Sequence, residues 1–184
     1  QTGVPATFQS TPIVHEGVMF VSLPFNNVLA LDAKTGNEIW RYEHDLNPNW
    51  KLCCGPSNRG VALQGKQLFF GTVDARLISR NIKTGEKIWD INVVKNNVET
   101  ESISDLDESD ANSDKQISGG TGVGISMAPV VYNGKVIIGI TGVGYGLHVE
   151  EEGANTPLGA VVGVSGKYGR SGFLAAYDIH SGQQ

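Results

Sequence analysis

The chain has only two cysteines among its 184 residues, and they are adjacent: Cys53 and Cys54, in the stretch KLCCGPSNRG that also carries Arg59. Adjacent Cα atoms lie about 3.8 Å apart across a trans peptide, short of the roughly 4.4–6.8 Å that a disulfide ordinarily spans. A Cys53–Cys54 bridge would therefore close a small strained ring, and strain of that kind persists where surrounding structure enforces it, most often at functional sites. Two reduced, buried thiols are the other reading of the pair. A metal pair lacks partners, because no further cysteine exists to complete a zinc site. Arg59 adds a planar fork of N–H donors suited to holding a carboxylate.

Two other stretches look chemical at first sight. DLDESDANSDKQ (105–116) is rich in oxygen ligands but lacks the central glycine and terminal glutamate of an EF-hand loop, so it reads as a solvated acidic loop. GGTGVG (119–124) resembles a phosphate-binding glycine run. Its surroundings are strand-like throughout, without the strand-to-helix step that a dinucleotide site needs, and that reading is rejected.

The elements that must position Cys53, Cys54 and Arg59 repeat. NVLALDAKTGNEIW (27–40), RLISRNIKTGEKIW (76–89) and GFLAAYDIHSGQQ (172–184) share one pattern; their glycines Gly36, Gly85 and Gly182 are 49 and 97 residues apart. Each is preceded by a second pattern, PIVHEGVMFVSL (12–23), GVALQGKQLFFG (60–71) and APVVYNGKVIIG (128–139), which predicts a β-hairpin turning at Gly17, Gly65 or Gly134. The Thr/Ser-Gly step supplies a turn in which glycine takes positive φ, and EIW or KIW follows as a short strand. The expected fold class is all-β: about three four-stranded antiparallel blades of a β-propeller, with Trp40 and Trp89 packed between blades. Three blades do not close a ring and the third pattern stops early, so residues 1–184 are expected to be part of a single propeller domain of a longer chain. Two insertions interrupt the regularity, near 92–125 and near 145–170, the second falling between the second and third strands of the third blade. Loops of this size on one face of a propeller commonly build its site.

Composition sets outer bounds. Hydrophobic residues make up 40% and charged residues 18%, as in a globular domain, and a formal charge of -5 offers nothing to nucleic acid. No apolar run approaches the roughly 18 residues of a membrane span, and QTGVPATFQS lacks the basic and apolar regions of a signal peptide.

CCGPSNRG, together with the ALDAKTGNEIW repeats, resembles the quinoprotein alcohol dehydrogenases, the methanol and ethanol dehydrogenase family that binds pyrroloquinoline quinone (PQQ) in an eight-bladed propeller. The resemblance covers essentially the whole chain. It implies that Cys53 and Cys54 form a vicinal disulfide lying flat against the PQQ ring and that Arg59 binds a PQQ carboxylate. Gln9 falls where the family often has a glutamate near the cofactor. Ser126 matches a hydroxyl that contacts PQQ, and Thr141, Gly142 and Val143 match the hydroxyl and backbone groups that hold its carboxylates. The next position departs from the family: where a glutamate ligates Ca²⁺ or a lanthanide ion, this chain has Gly144. A second register over 163–178 places Lys167 or Tyr168 there and restores no carboxylate, while Glu150, Glu151 and Glu152 stand nearby beside His148.

The implied reaction is oxidation of a primary alcohol to an aldehyde. The metal polarises the quinone, an aspartate takes the alcohol proton, hydride passes to the quinone, and electrons go on to a cytochrome c. The aspartate, the remaining metal ligands and a covering tryptophan would lie beyond residue 184. The resemblance also implies a periplasmic location, with a homodimer as the assembly to look for. Two alternatives stand beside it: a non-catalytic scaffold built of PQQ-like repeats, and a homologue with an altered metal site.

Overall fold

The computed structural model describes residues 8–46, 57–93, 124–140, 148–149, 160–161 and 173–184. Strands dominate, and they fall into repeated antiparallel sheets. The first sheet comprises β1 (Ile13–His15), β2 (Val18–Ser22), β3 (Val28–Asp32) and β4 (Glu38–Tyr42), each paired with the next. The second comprises β5 (Ala62–Gln64), β6 (Gln67–Gly71), β7 (Arg76–Asn81) and β8 (Lys87–Asn92) in the same order. The third joins β9 (Val130–Tyr132), β10 (Lys135–Ile140) and β13 (Phe173–Asp178), and its last turn ends at Gln184, where the first two repeats go on to a fourth strand. Between β10 and β13, a two-stranded pair of β11 (His148–Val149) and β12 (Ala160–Val161) rises from the second insertion; the sequence pattern gave no sign of it.

The turn chemistry explains why these segments pair in register. Glu16 and Gly17 both have positive φ, as do Asn133 and Gly134, which is the backbone handedness that two-residue hairpins demand. At the next connection the carboxylate of Asp32 accepts hydrogen bonds from the backbone N–H of Lys34 (3.0 Å) and Thr35 (2.8 Å), and Gly36 follows at φ 74°. Asn81 and Asp178 do the same for Lys83 and Thr84, and for His180 and Ser181, ahead of Gly85 and Gly182. A short polar side chain that caps its own turn fixes the loop length and hence the register.

Packing follows from the two-residue period of strands. Phe20, Val28, Ala30 and Trp40 meet Leu68, Phe70 and Ile78 between the first and second sheets. Phe69, Leu77 and Trp89 meet Val136, Ile138, Ala175 and Tyr177 between the second and third. Strand β6 thus buries both faces, Leu68 and Phe70 on one side and Phe69 on the other, as expected of a sheet sandwiched between neighbours. The tryptophans lock adjacent sheets together, as their repetition predicts. Trp40 Nε1 donates to the Ile82 carbonyl (2.9 Å) and Trp89 Nε1 to the Ile179 carbonyl (2.8 Å), each in the following repeat's turn. Both rings lie against that turn's glycine: a Cβ on Gly85 would come within 2.8 Å of Trp40 Cδ2, and one on Gly182 within 3.2 Å of Trp89 Cδ2.

Candidate functional site

Antiparallel order sorts the connections onto two ends of the blades. One end carries the tight hairpins and the capped turns, tied alike in all three repeats: Ala33 N–H donates to Gly17 (2.8 Å), Ile82 to Lys66 (3.0 Å) and Ile179 to Gly134 (3.2 Å). The other end carries everything irregular. Here the chain enters β1, β5 and β9, and here it leaves β4 toward Cys53 and Cys54, β8 toward the first insertion, and β10 at Ile140, the residue before Thr141. Repetition builds the first end; departures from repetition concentrate on the second, where a scaffold displays function.

At this irregular end the three lead-in segments are joined by backbone hydrogen bonds. Thr11 N–H donates to the Arg59 carbonyl (3.2 Å), Arg59 N–H donates to the Ser126 carbonyl (3.0 Å), and Thr11 and Gly60 form a parallel bridge. Gly60 is at φ 147°, and a Cβ there would sit 3.2 Å from Ala128 Cβ and 3.4 Å from the Thr11 carbonyl oxygen. A side chain there would press on both neighbours from a backbone conformation that L residues rarely adopt. The junction therefore brings Arg59 and Ser126, 67 residues apart in sequence, into contact: Arg59 Nη1 donates to Ser126 Oγ at 2.7 Å. Ser126 is only 7% exposed, whereas Arg59 reaches solvent. Among the described residues that bond is the guanidinium's only one, so its fork retains donors for a ligand.

Of the residues singled out from sequence, Arg59 and Ser126 are thus brought together, and Gln9 lies exposed two residues before Thr11. Cys53, Cys54, Thr141, Gly142, Val143 and Gly144 lie outside the described residues, as do Glu150, Glu151 and Glu152. A cationic fork with spare donors beside a buried hydroxyl is a donor set that fits a carboxylate-bearing ligand such as PQQ. For a metal, no cluster of three or more His, Cys, Asp or Glu side chains occurs among the described residues. Neighbouring polar groups went unnoticed in the sequence because nothing in their spacing marks them. Ser22, fully buried, donates to Ser10 Oγ (2.9 Å), and Asn58 ties its own segment to β6. A string of Tyr42, His44 and Asp74 links the exit of β4 to the second blade: Tyr42 Oη lies 2.7 Å from His44 Nδ1, and His44 Nε2 lies 2.9 Å from Asp74 Oδ1.

Comparison with known proteins converges on one family. The family described as glucose/ethanol/alcohol dehydrogenase, beta-propeller domain, matches residues 1–184. The quinoprotein alcohol dehydrogenase PedH of Pseudomonas putida is 34% identical over 139 residues, 76% of this chain and 20% of that protein. The 1-butanol dehydrogenase (cytochrome c) of Thauera butanivorans is 34% identical over 142 residues, 76% of this chain and 17% of that protein. The crystal structure of the quinohemoprotein alcohol dehydrogenase from Comamonas testosteroni superimposes with a TM-score of 0.60 at 29% identity, over 95% of this chain and 20% of that one. The chain spans about a fifth of the length of the curated relatives it matches.

Proposed function

The chain belongs to the glucose/ethanol/alcohol dehydrogenase β-propeller family of PQQ quinoproteins, and from that premise we propose that it forms part of a PQQ-dependent enzyme oxidising a primary alcohol to an aldehyde. The observation that carries the reading is the Arg59–Ser126 pair at the irregular end of the blades, a solvent-reaching guanidinium whose donors are, among the described residues, spent only on a buried hydroxyl. Arg59 holds a carboxylate of the quinone, and Ser126 contacts the cofactor and braces the arginine. Cys53 and Cys54, paired as a disulfide, would hold the quinone ring, Thr141, Gly142 and Val143 would help Arg59 hold its carboxylates, and Gln9 would add a hydrogen-bonding amide. Bound PQQ supplies the two-electron acceptor for alcohol oxidation.

A Ca²⁺ or lanthanide ion accompanies the quinone in this reading, with Gly144 unable to contribute a side-chain ligand. The catalytic base lies outside residues 1–184, which make up part of one eight-bladed propeller domain. Electrons pass to a cytochrome c, an acceptor that the name of the Thauera butanivorans relative also carries, and the enzyme works in the periplasm.

Dye-linked alcohol oxidation by the full-length protein, supplied with PQQ and either Ca²⁺ or a lanthanide, tests the proposal. Turnover that requires PQQ is expected; bound PQQ without turnover on any primary alcohol would sink the dehydrogenase reading and leave a homologue with an altered metal site. Mass spectrometry of the unreduced protein tests the cysteines separately. Free thiols at both Cys53 and Cys54 would favour the scaffold alternative.

A further inference from the structure

Arg59 reaches its place through the residue before it: we propose that Asn58 is the positioning residue that aims Arg59 at the cofactor's carboxylate. Asn58 is 2% exposed, and its amide uses both of its chemistries. Nδ2 donates to the carbonyl of Gly71 (2.8 Å), the last residue of β6, and Oδ1 accepts the backbone N–H of Gly60 (3.0 Å), closing a clasp over Arg59. The Asn58 carbonyl also lies within reach of Ser22 Oγ (3.5 Å), at the end of β2 in the first blade.

Arg59 is therefore held from both sides. Its own N–H and carbonyl are tied to Ser126 and Thr11 across the blade junction, and the residue before it is pinned to β6. Only a side chain that donates and accepts at once can make this clasp, which explains an asparagine at a fully enclosed position. Gly71, whose carbonyl Asn58 uses, packs so closely under Ile125 that a Cβ there would fall 2.1 Å from Ile125 Cγ2, and no larger residue fits at that position. Ile125 in turn precedes Ser126, the partner of the Arg59 guanidinium. One packed unit thus sets the arginine's backbone, its reach and its side-chain contact, and Asn58 joins that unit to the blade.

The inference rests on the reading that Arg59 binds a PQQ carboxylate, and its test separates the two. In the full-length protein, prepared free of PQQ, the dissociation constant for PQQ is measured by equilibrium titration for the wild type, Asn58→Ala, Arg59→Ala and the double variant. If Asn58 acts through Arg59, Asn58→Ala weakens PQQ binding at least about tenfold when Arg59 is present and less than about twofold when it is not. An equal loss in both backgrounds, or no loss in either, would overturn the proposal. If Arg59→Ala binds PQQ as tightly as the wild type, the carboxylate reading of the arginine fails first and takes the positioning role with it. Should Asn58→Ala not fold, Asn58→Ser, whose hydroxyl can still accept from Gly60 N–H but is one atom shorter than the amide that reaches the Gly71 carbonyl, completes the same cycle with the same criterion.

Discussion

Tyr42, His44 and Asp74 share a single arrangement of protons. An ionised Asp74 accepts from His44 Nε2–H, which leaves Nδ1 as the acceptor for the Tyr42 hydroxyl, so one neutral tautomer satisfies both contacts. Burial, the largest single influence, raises the Asp74 carboxyl, but the hydrogen bond and charge of His44, with hydrogen bonds from Thr72 and the Asp74 backbone, together outweigh it and the group sits below the ordinary carboxylate range. A folded-state value below the unfolded one stabilises the fold above about pH 4 and is lost as pH falls through the lower, native value. Asp74→Asn should therefore lower stability by about 1–3 kcal/mol at neutral pH, and flatten the decline below about pH 4. Urea midpoints of the full-length protein measured across that range check both effects. Burial also pushes the Tyr42 phenol up to about 12, so its contribution is present below the free phenol's value of about 10 and lost as pH rises toward 12. In an ultraviolet titration the Tyr42→Phe variant should lack a tyrosine ionising near 12. None of this string was legible beforehand, because Asp74 lies 30 residues from His44 and only the packing of two blades brings them together. Arg59 was legible for the opposite reason, since its partners in the motif are its chain neighbours.

At the scale of elements, the repeated turn and the repeated tryptophan could be read in advance because each is a local signal that recurs. A capping Asp or Asn, a Thr or Ser, a glycine at positive φ and a following strand that carries tryptophan need no long-range information. What the sequence could not supply is how many donors serve each tryptophan's acceptor. The Ile179 carbonyl takes both Trp89 Nε1 and Gln67 Nε2, each at 2.8 Å, whereas the Ile82 carbonyl takes Trp40 Nε1 alone among the described residues. Replacing the indole by phenyl removes one donor in each case but orphans only the second acceptor. Trp40→Phe is therefore expected to destabilise the full-length protein by about 1–3 kcal/mol more than Trp89→Phe, beyond the similar packing loss in both. Thermal or urea unfolding of the two variants side by side decides it, and equal losses would show that the carbonyl of Ile82 finds another partner. The blade junction is likewise a non-local product: Thr11, Gly60 and Ala128 precede three separate hairpins, and their contact appears only when the blades stack.

Taken as a whole molecule, the stack has direction. Blade one turns Ile13, Phe20 and Trp40 toward blade two, which leaves Val14 (61% exposed) and Ile39 on its far side. Blade three turns Val131, Val136 and Ala175 toward blade two, which leaves Val130, Tyr132 (74% exposed) and Leu174 on the opposite side. The two bare faces are the two unlike surfaces that meet at every internal blade contact, and apolar side chains gathered on one sheet face mark a surface made to be covered. Surfaces of this kind associate head to tail, without the symmetry that would stop growth at a dimer. Two experiments with the same substitutions follow. Produced alone, the 184-residue chain should self-associate in a concentration-dependent manner by sedimentation, and Tyr132→Lys with Leu174→Lys should reduce that association. In the full-length protein the same pair should destabilise instead, by more than about 2 kcal/mol, because each lysine would then lose its water against the next blade. Opposite responses of the piece and the whole would identify this face as a blade interface; a full-length protein indifferent to both lysines would show that no further blade covers it.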